Sequence, residues 1–202
     1  MAKVSWKGGT LLGPLPPVMV SCGDMESSNI ITIAWTGILS TIPPKTYISV
    51  RPSRHSYAII KERGEFVINL TPASLVKEAD FCGIYTGAKV NKFERCKLHK
   101  QKASSLDCPM IEESPLSIEC KVTDVISLGS HDMFIADIVA VNVDEALLDK
   151  DGKLRLDKAR LAAFAHGEYF ELGKMIGSFG FSAKKKNKKN TDPAKHPKKA
   201  KK

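Results

Sequence analysis

Every apolar segment of this chain is short and is cut by Pro, Gly or a turn residue before it reaches helix length. Val18-Met19-Val20-Ser21-Cys22 stops at Gly23-Asp24, and Ile30-Ile31-Thr32-Ile33-Ala34-Trp35 follows Ser27-Ser28-Asn29. Tyr47-Ile48-Ser49-Val50-Arg51 runs into Pro52, and Glu65 to Leu70 runs into Thr71-Pro72. Their β-branched density marks them as strands. Two longer strands, Ser117 to Leu128 and Met133 to Asp144, flank Gly129-Ser130-His131-Asp132, a tight hairpin-type connection. His166 to Leu172 reads as a last short strand.

Helical signals are few. Ser53 is a candidate N-cap for a helix over Ser56 to Arg63 that Gly64 ends. Ser74 is a candidate cap for a short helix through Phe81, with Gly83 beyond its end. Leu154 to Phe164 is weakly helical, 84–115 reads as irregular, and Pro43-Pro44 as an interruption. With no regular βαβ alternation, a doubly wound sheet is disfavoured. The prediction is a mainly β fold, a small closed or split barrel with peripheral helices.

The net charge of +9 first suggests a nucleic-acid binder. Its distribution argues otherwise. Residues 183–202 hold ten Lys and one Asp, so the tail carries the whole excess and residues 1–182 are neutral. We therefore expect a folded domain over 1–182 and a disordered Lys-rich tail over 183–202, because the tail has no apolar residue large enough to offset ordering entropy. A nucleic-acid-interacting barrel with a basic arm is the alternative this leaves; it needs exposed stacking aromatics, and aromatics make up only 7% of the chain. No apolar run is long enough to span a bilayer, and Met1 to Trp6 lacks a signal core, so the expected location is cytoplasmic. Cys22, Cys82, Cys96, Cys108 and Cys120 form no Cys-x-x-Cys pair and read as packed thiols.

The Rossmann glycine fingerprint, the Walker glycine loop and the Gly-x-Ser-x-Gly elbow are all absent. The five His residues do not stand at metal-ligand spacing. The segment Arg51-Pro52-Ser53-Arg54-His55-Ser56 is more informative. Two guanidinium groups and two hydroxyls converge where a helix begins, an arrangement suited to a phosphate. By itself the segment also fits an ordinary capped surface helix. Trp35 alone fits a core residue, Asn29 a turn, and His131 and Lys92 a solvated surface.

Taken together, these segments resemble the flavin reductase-like family, in particular its flavoredoxin branch. The resemblance rests on Asn29 to Gly37, Ile48 to Arg54, Glu65 to Leu70, Asn91-Lys92-Phe93, Ile111 to Cys120 and Leu128 to Ile135, in order over about residues 10–180. It implies an FMN-binding split β-barrel of Greek-key type, usually a homodimer with flavin near the subunit interface. It further implies FMN-site roles for Asn29, Trp35, Thr36, Ser56, Lys92, His131 and Phe164, and phosphate-side roles for Ser49, Arg51 and Arg54. Family members often carry Thr at the position of Ser56, which keeps the hydroxyl, and Asp at the position of Asn91, whose charge is lost here. The implied activity moves electrons through bound FMN, from NADH or NADPH to flavin or between carrier proteins. A non-catalytic flavin carrier or sensor is the alternative.

Overall fold

The computed structural model describes residues 1–183. The expectation for the Lys-rich tail lies outside them. Seven strands form one antiparallel sheet: β1 (Val18–Gly23), β2 (Ser28–Ile33), β3 (Thr36–Thr41), β4 (Pro44–Val50), β5 (Glu65–Asn69), β8 (Leu116–Ser127) and β9 (Asp132–Val143). Their order is β2-β1-β5-β8-β9-β4-β3. The two edge strands, β2 and β3, are neighbours in the chain. Only Ala34-Trp35 separates them, and Ser49 N donates to Trp35 O at 2.9 Å, carrying the β3–β4 ladder up to the join. A seven-stranded sheet whose edges are joined by two residues has to curl until they meet there, while the rest of the two edges stays apart. The barrel is therefore closed at one corner and split beyond it.

Alternation along the strands fills the interior. Val18, Val20 and Cys22 of β1 join Ile31, Ile33, Ile48, Val50, Phe66, Ile68, Cys120, Phe134 and Ala136 in one buried cluster. The opposite face of β1 is also covered, with Met19 packing beside Ile30 under α2 (Val76–Ile84) and α3 (Lys92–Cys96). This double covering explains why β1 reads as a continuous apolar run. Helix α1 (His55–Arg63) seals one end through Ile60, and Gly64 ends it in the left-handed conformation at φ 68°.

Glu119 on β8 faces a polar niche. Its carboxylate is fully buried and accepts hydrogen bonds from Ser104 N and Oγ, Ser105 N and Asn142 Nδ2 at 2.6–2.8 Å. Burial alone would raise its pKa, but these donors hold it below the usual carboxylate value. One buried anion thereby pins the loop before β7 (Met110–Ile111) to the sheet.

Several sequence expectations change. Pro43-Pro44 does not merely interrupt the chain; it turns a hairpin, with Pro44 opening β4 on an edge-side register. The N-cap of α1 is Arg54 rather than Ser53, and no side chain caps it. Gly83 lies inside α2, not beyond it. There a Cβ would meet Thr32 Cβ at 3.4 Å, an ordinary van der Waals contact. The irregular region contains α3, N-capped by Asn91, and a small pair of β6 (Lys100–Gln101) with β7. Leu154 to Phe164 is a short 3₁₀ turn followed by β10 (Ala162–Ala165), which pairs with β11 (Glu168–Glu171). Met1–Leu172 forms one compact unit; of the described residues beyond it, Phe181–Ala183 make a 3₁₀ turn.

Candidate functional site

The split in the barrel opens onto two adjoining cavities. The smaller, about 180 Å³, lies at the N-terminus of α1 and is lined by Asn29, Arg51, Ser53, Arg54, Ser56 and Lys92, among others. The larger, about 520 Å³, lies against the last residues of β2 and β4 and is lined by Trp35, Ser49, His131, Phe164 and Tyr169, among others. The two share Ile31, Arg51, Arg54 and Gly83. The larger volume is within the range of small-molecule sites.

Local structure explains the polar end. β4 stops at Val50 because Pro52 offers no N–H for a ladder. A turn closed by Arg54 N donating to Arg51 O at 2.9 Å leads into α1. Both arginines stand at the mouth, with the uncapped first turn of α1 behind them. Such a terminus carries a partial positive charge and unpaired N–H groups. Ser56, buried in that first turn, accepts from Asn29 Nδ2 at 2.8 Å. The β4–β9 register pairs Val50 with Asp132, which brings His131 beside Arg51: Arg51 Nε donates to His131 Nε2 at 3.4 Å. Burial, with Arg51 and Arg54 adding to it, holds the His131 imidazole below its ordinary pKa.

Lys92 is the least expected member. It opens α3 and is 3% exposed. Its Nζ donates to Ile30 O at 2.6 Å and Cys82 O at 2.7 Å. An ammonium has three protons, and among the described residues no carboxylate pairs with this one. Burial, joined by the Arg54 cation, lowers its pKa, while neighbouring thiols pull the other way. A buried cation that fronts a cavity and lacks a counter-ion is a place for an anion.

The larger cavity has aromatic walls. Phe164 on β10 meets Tyr169 on β11 edge to face at 5.3 Å between centroids. The Tyr169 hydroxyl donates to Asp80 Oδ1 at 3.2 Å, tying this hairpin to α2 across the cavity. Burial, then the Asp80 charge, pushes the phenol up to about 12. The hairpin bends at His166 and Gly167, both with positive φ (50° and 88°). Trp35 is 41% exposed on the opposite side.

Nine of the ten residues singled out from sequence line one cavity or the other. Thr36 lines neither; its hydroxyl donates to Tyr47 O at 2.6 Å and serves the β3–β4 pair. Ser49 lies on the larger cavity rather than with the phosphate-like cluster. Sequence reasoning missed Asp80, Gly87 and Tyr169. Gly87 packs so closely on Asn29 that a Cβ would overlap its side chain, and only the fold reveals that approach.

The architecture and this paired cavity define a split β-barrel with a cationic end and an aromatic-walled end. A family model described as "Flavin reductase like domain" matches residues 13–173, and the chain belongs to that family. An uncharacterised protein of Archaeoglobus fulgidus is 32% identical over 142 residues, 70% of this chain and 78% of its own length. The NADPH-flavin oxidoreductase of Streptomyces viridifaciens is 23% identical over 135 residues, 66% of this chain and 69% of its own. Among solved structures, the flavoredoxin of Desulfovibrio vulgaris (Miyazaki F) superposes with a TM-score of 0.84 and 33% identity, covering 91% of this chain and all of its own. The FMN-binding protein from Thermus thermophilus shares the fold at a TM-score of 0.74 and 23% identity, over 88% of this chain and 97% of its own.

Proposed function

We propose that this protein binds FMN and is an oxidoreductase that moves electrons through it. The observation that carries this reading is Lys92, a buried cation with no carboxylate partner among the described residues, facing a cavity that Arg51, Arg54 and the first turn of α1 also face. FMN fits these residues, since its phosphate needs a cationic cradle and its ring an apolar wall. Lys92, Arg51, Arg54 and Ser56 would hold the phosphate; Trp35, Phe164 and Tyr169 would border the ring. FMN, when bound, supplies the one- and two-electron chemistry, while the protein sets its position and potential.

The chain's own residues then have separate tasks. The arginines orient the phosphate through paired N–H donors. Asn29 holds the Ser56 hydroxyl in place. His131 sits on the ring side with a depressed pKa, so it is neutral at pH 7 and able to take up a proton if negative charge develops beside it. The Tyr169–Asp80 bond holds the aromatic hairpin over the cavity and limits water entry.

The electron donor is NADH or NADPH, or a carrier protein as the likeness to flavoredoxin suggests. The working unit we propose is a homodimer. Ile38, Leu39 and Ile42 on the β3–β4 hairpin are exposed at 65%, 47% and 92%, an apolar tip that a second copy of the chain would cover. The test is an absorption spectrum of the purified protein, followed by anaerobic NADH and then NADPH. Flavin bands that bleach with one nucleotide support a reductase and name its donor. Bands that bleach only with a strong chemical reductant support a carrier. A colourless protein that takes up no added FMN overturns the proposal.

A further inference from the structure

Charge is spread unevenly along the chain up to Leu172. Residues 1–102 hold fourteen Lys and Arg against seven Asp and Glu, whereas residues 103–172 hold six against fourteen. The excess of cations is densest from Lys89 to Lys102, a stretch with six of them and one carboxylate, Glu94. This stretch contains α3 and follows closely on the end of α2. Of its six cations, Lys92 alone lines either cavity. Lys89 and Arg95 line neither, are exposed, and are surplus to the holding of a phosphate.

Packing nevertheless places both at the mouth. The Arg95 guanidinium lies over the Phe81 ring at 5.6 Å, Phe81 stacks on Tyr85 at 4.3 Å between centroids, and Tyr85 borders the smaller cavity. Lys89 N donates to Thr86 O at 3.2 Å, and Thr86 borders the same cavity. Beside them the end of α2 leaves Ile84 and Tyr85 exposed at 64% and 51%, with Ile84 bordering the larger cavity. Arg51 and Arg54, which border both cavities, extend the cationic rim. Glu78, Asp80 and Glu94 lie on the same two helices, but one Glu78 oxygen is buried and Asp80 accepts from Tyr169.

We propose that this rim is the docking surface for an acidic electron-carrier protein, with Ile84 and Tyr85 as its apolar centre and Lys89, Arg95, Arg51 and Arg54 as its charged border. The proposal rests on the FMN reading of the cavities. A small anion has no use for two exposed apolar side chains, whereas a protein surface covers them. An apolar centre inside a charged rim is the anatomy of a protein interface. Complementary charge speeds encounter and fixes orientation more than it tightens a complex, which suits a carrier that leaves after each transfer. The carrier gives one electron at each visit. Two reduced carriers dock in turn, each is oxidised by one electron, and together they reduce one FMN, with two protons drawn from water.

The probe is a plant-type [2Fe–2S] ferredoxin, an acidic low-potential carrier. Stopped-flow mixing of reduced ferredoxin with the FMN-loaded full chain reads the second-order rate of flavin bleaching. The rate should fall about tenfold between roughly 10 mM and roughly 150 mM salt, as the Debye length shrinks. The double variant Lys89→Glu with Arg95→Glu should slow it about tenfold at low salt, with FMN affinity and melting midpoint near those of the parent. Lys89→Glu alone, at an exposed residue, should slow it in the same direction and leaves α3 its Arg95 contact. Lys150→Glu with Lys153→Glu makes the same change in net charge on an exposed turn that borders neither cavity, and should leave the rate near the parent's. Equal slowing by both pairs overturns the surface, and so does slowing by neither, which would move docking to another cationic segment such as the Lys-rich tail. Sedimentation of the chain alone at low salt that changes with the Lys89 and Arg95 pair makes a second copy the occupant and also overturns the proposal. Calorimetric titration of oxidised ferredoxin into the chain, with and without FMN, reads docking apart from flavin chemistry. A chain that takes up no FMN therefore overturns the reading of the site, while a docking heat that Lys89→Glu removes still supports the surface.

Discussion

Asn29 Nδ2 and Ser56 Oγ, 27 residues apart in the chain, lie 2.8 Å apart and fasten the start of β2 to the first turn of α1. Gly87 presses on Asn29 from the other side. In Gly87→Ala the new methyl group overlaps the Asn29 amide, which has to leave Ser56. We expect FMN affinity to fall about tenfold, roughly 1.4 kcal/mol, with the thermal midpoint moving little. Fluorescence titration beside a melting curve checks both.

Removing either arginine at the cavity mouth takes a charge-assisted donor from the phosphate. Arg51→Ala and Arg54→Ala should each weaken FMN binding by about 1.5–3 kcal/mol. Both side chains are exposed, so stability should stay near that of the parent. An unchanged dissociation constant in both variants would remove the phosphate assignment.

Lys92→Met has a double cost. It strips the donor from Ile30 O and Cys82 O, two carbonyls inside the fold, at about 1–3 kcal/mol of stability each. It also leaves the anion cavity without its buried cation, so FMN uptake should be lost at concentrations that saturate the parent. Urea melts and spectral titration separate the two effects.

Glu119 carries an acid-sensitive share of the stability. Its folded pKa lies below its unfolded value, so between the two the unfolded chain binds more protons and stability rises with pH. The contribution is complete above the unfolded value of about 4.3 and is lost as pH falls through the folded one. Glu119→Gln should cost about 2–3 kcal/mol at pH 7, and the gap to the parent should shrink over the acid window below about pH 4.3. Denaturant midpoints measured across that window test the sign.

Trp35→Ala should change the absorbance or fluorescence of bound flavin, because Trp35 borders the larger cavity and is 41% exposed. An unaltered spectrum would make Trp35 a seam residue alone, since its carbonyl already accepts from Ser49 N.

Much of this was legible in the sequence because it is local. The β-branched runs around Val20, Ile31 and Val67 announce strands wherever they pair, and Gly64 announces a helix end. Pro44 misleads because a proline is tolerated as the first residue of a strand, where the ladder has barely begun. Gly83 misleads because a glycine can also stand inside a helix, and here α2 runs one residue past it. Arg51 and Arg54 stood out by spacing alone. Lys92 gained its meaning only when α3 turned it inward onto two carbonyls, and Tyr169 only when its hairpin reached Asp80, 89 residues away.

The two-residue link Ala34-Trp35 joins the two edges of the sheet, and among the described residues no further strand pairs with either edge. A flavin seated there would replace the missing staves and would bind only the folded chain. At a hundred times its dissociation constant such a ligand adds about 2.7 kcal/mol to the folded state. The lifetime of the protein in a cell would then follow the supply of flavin, and a cell short of the vitamin would clear the empty barrel first.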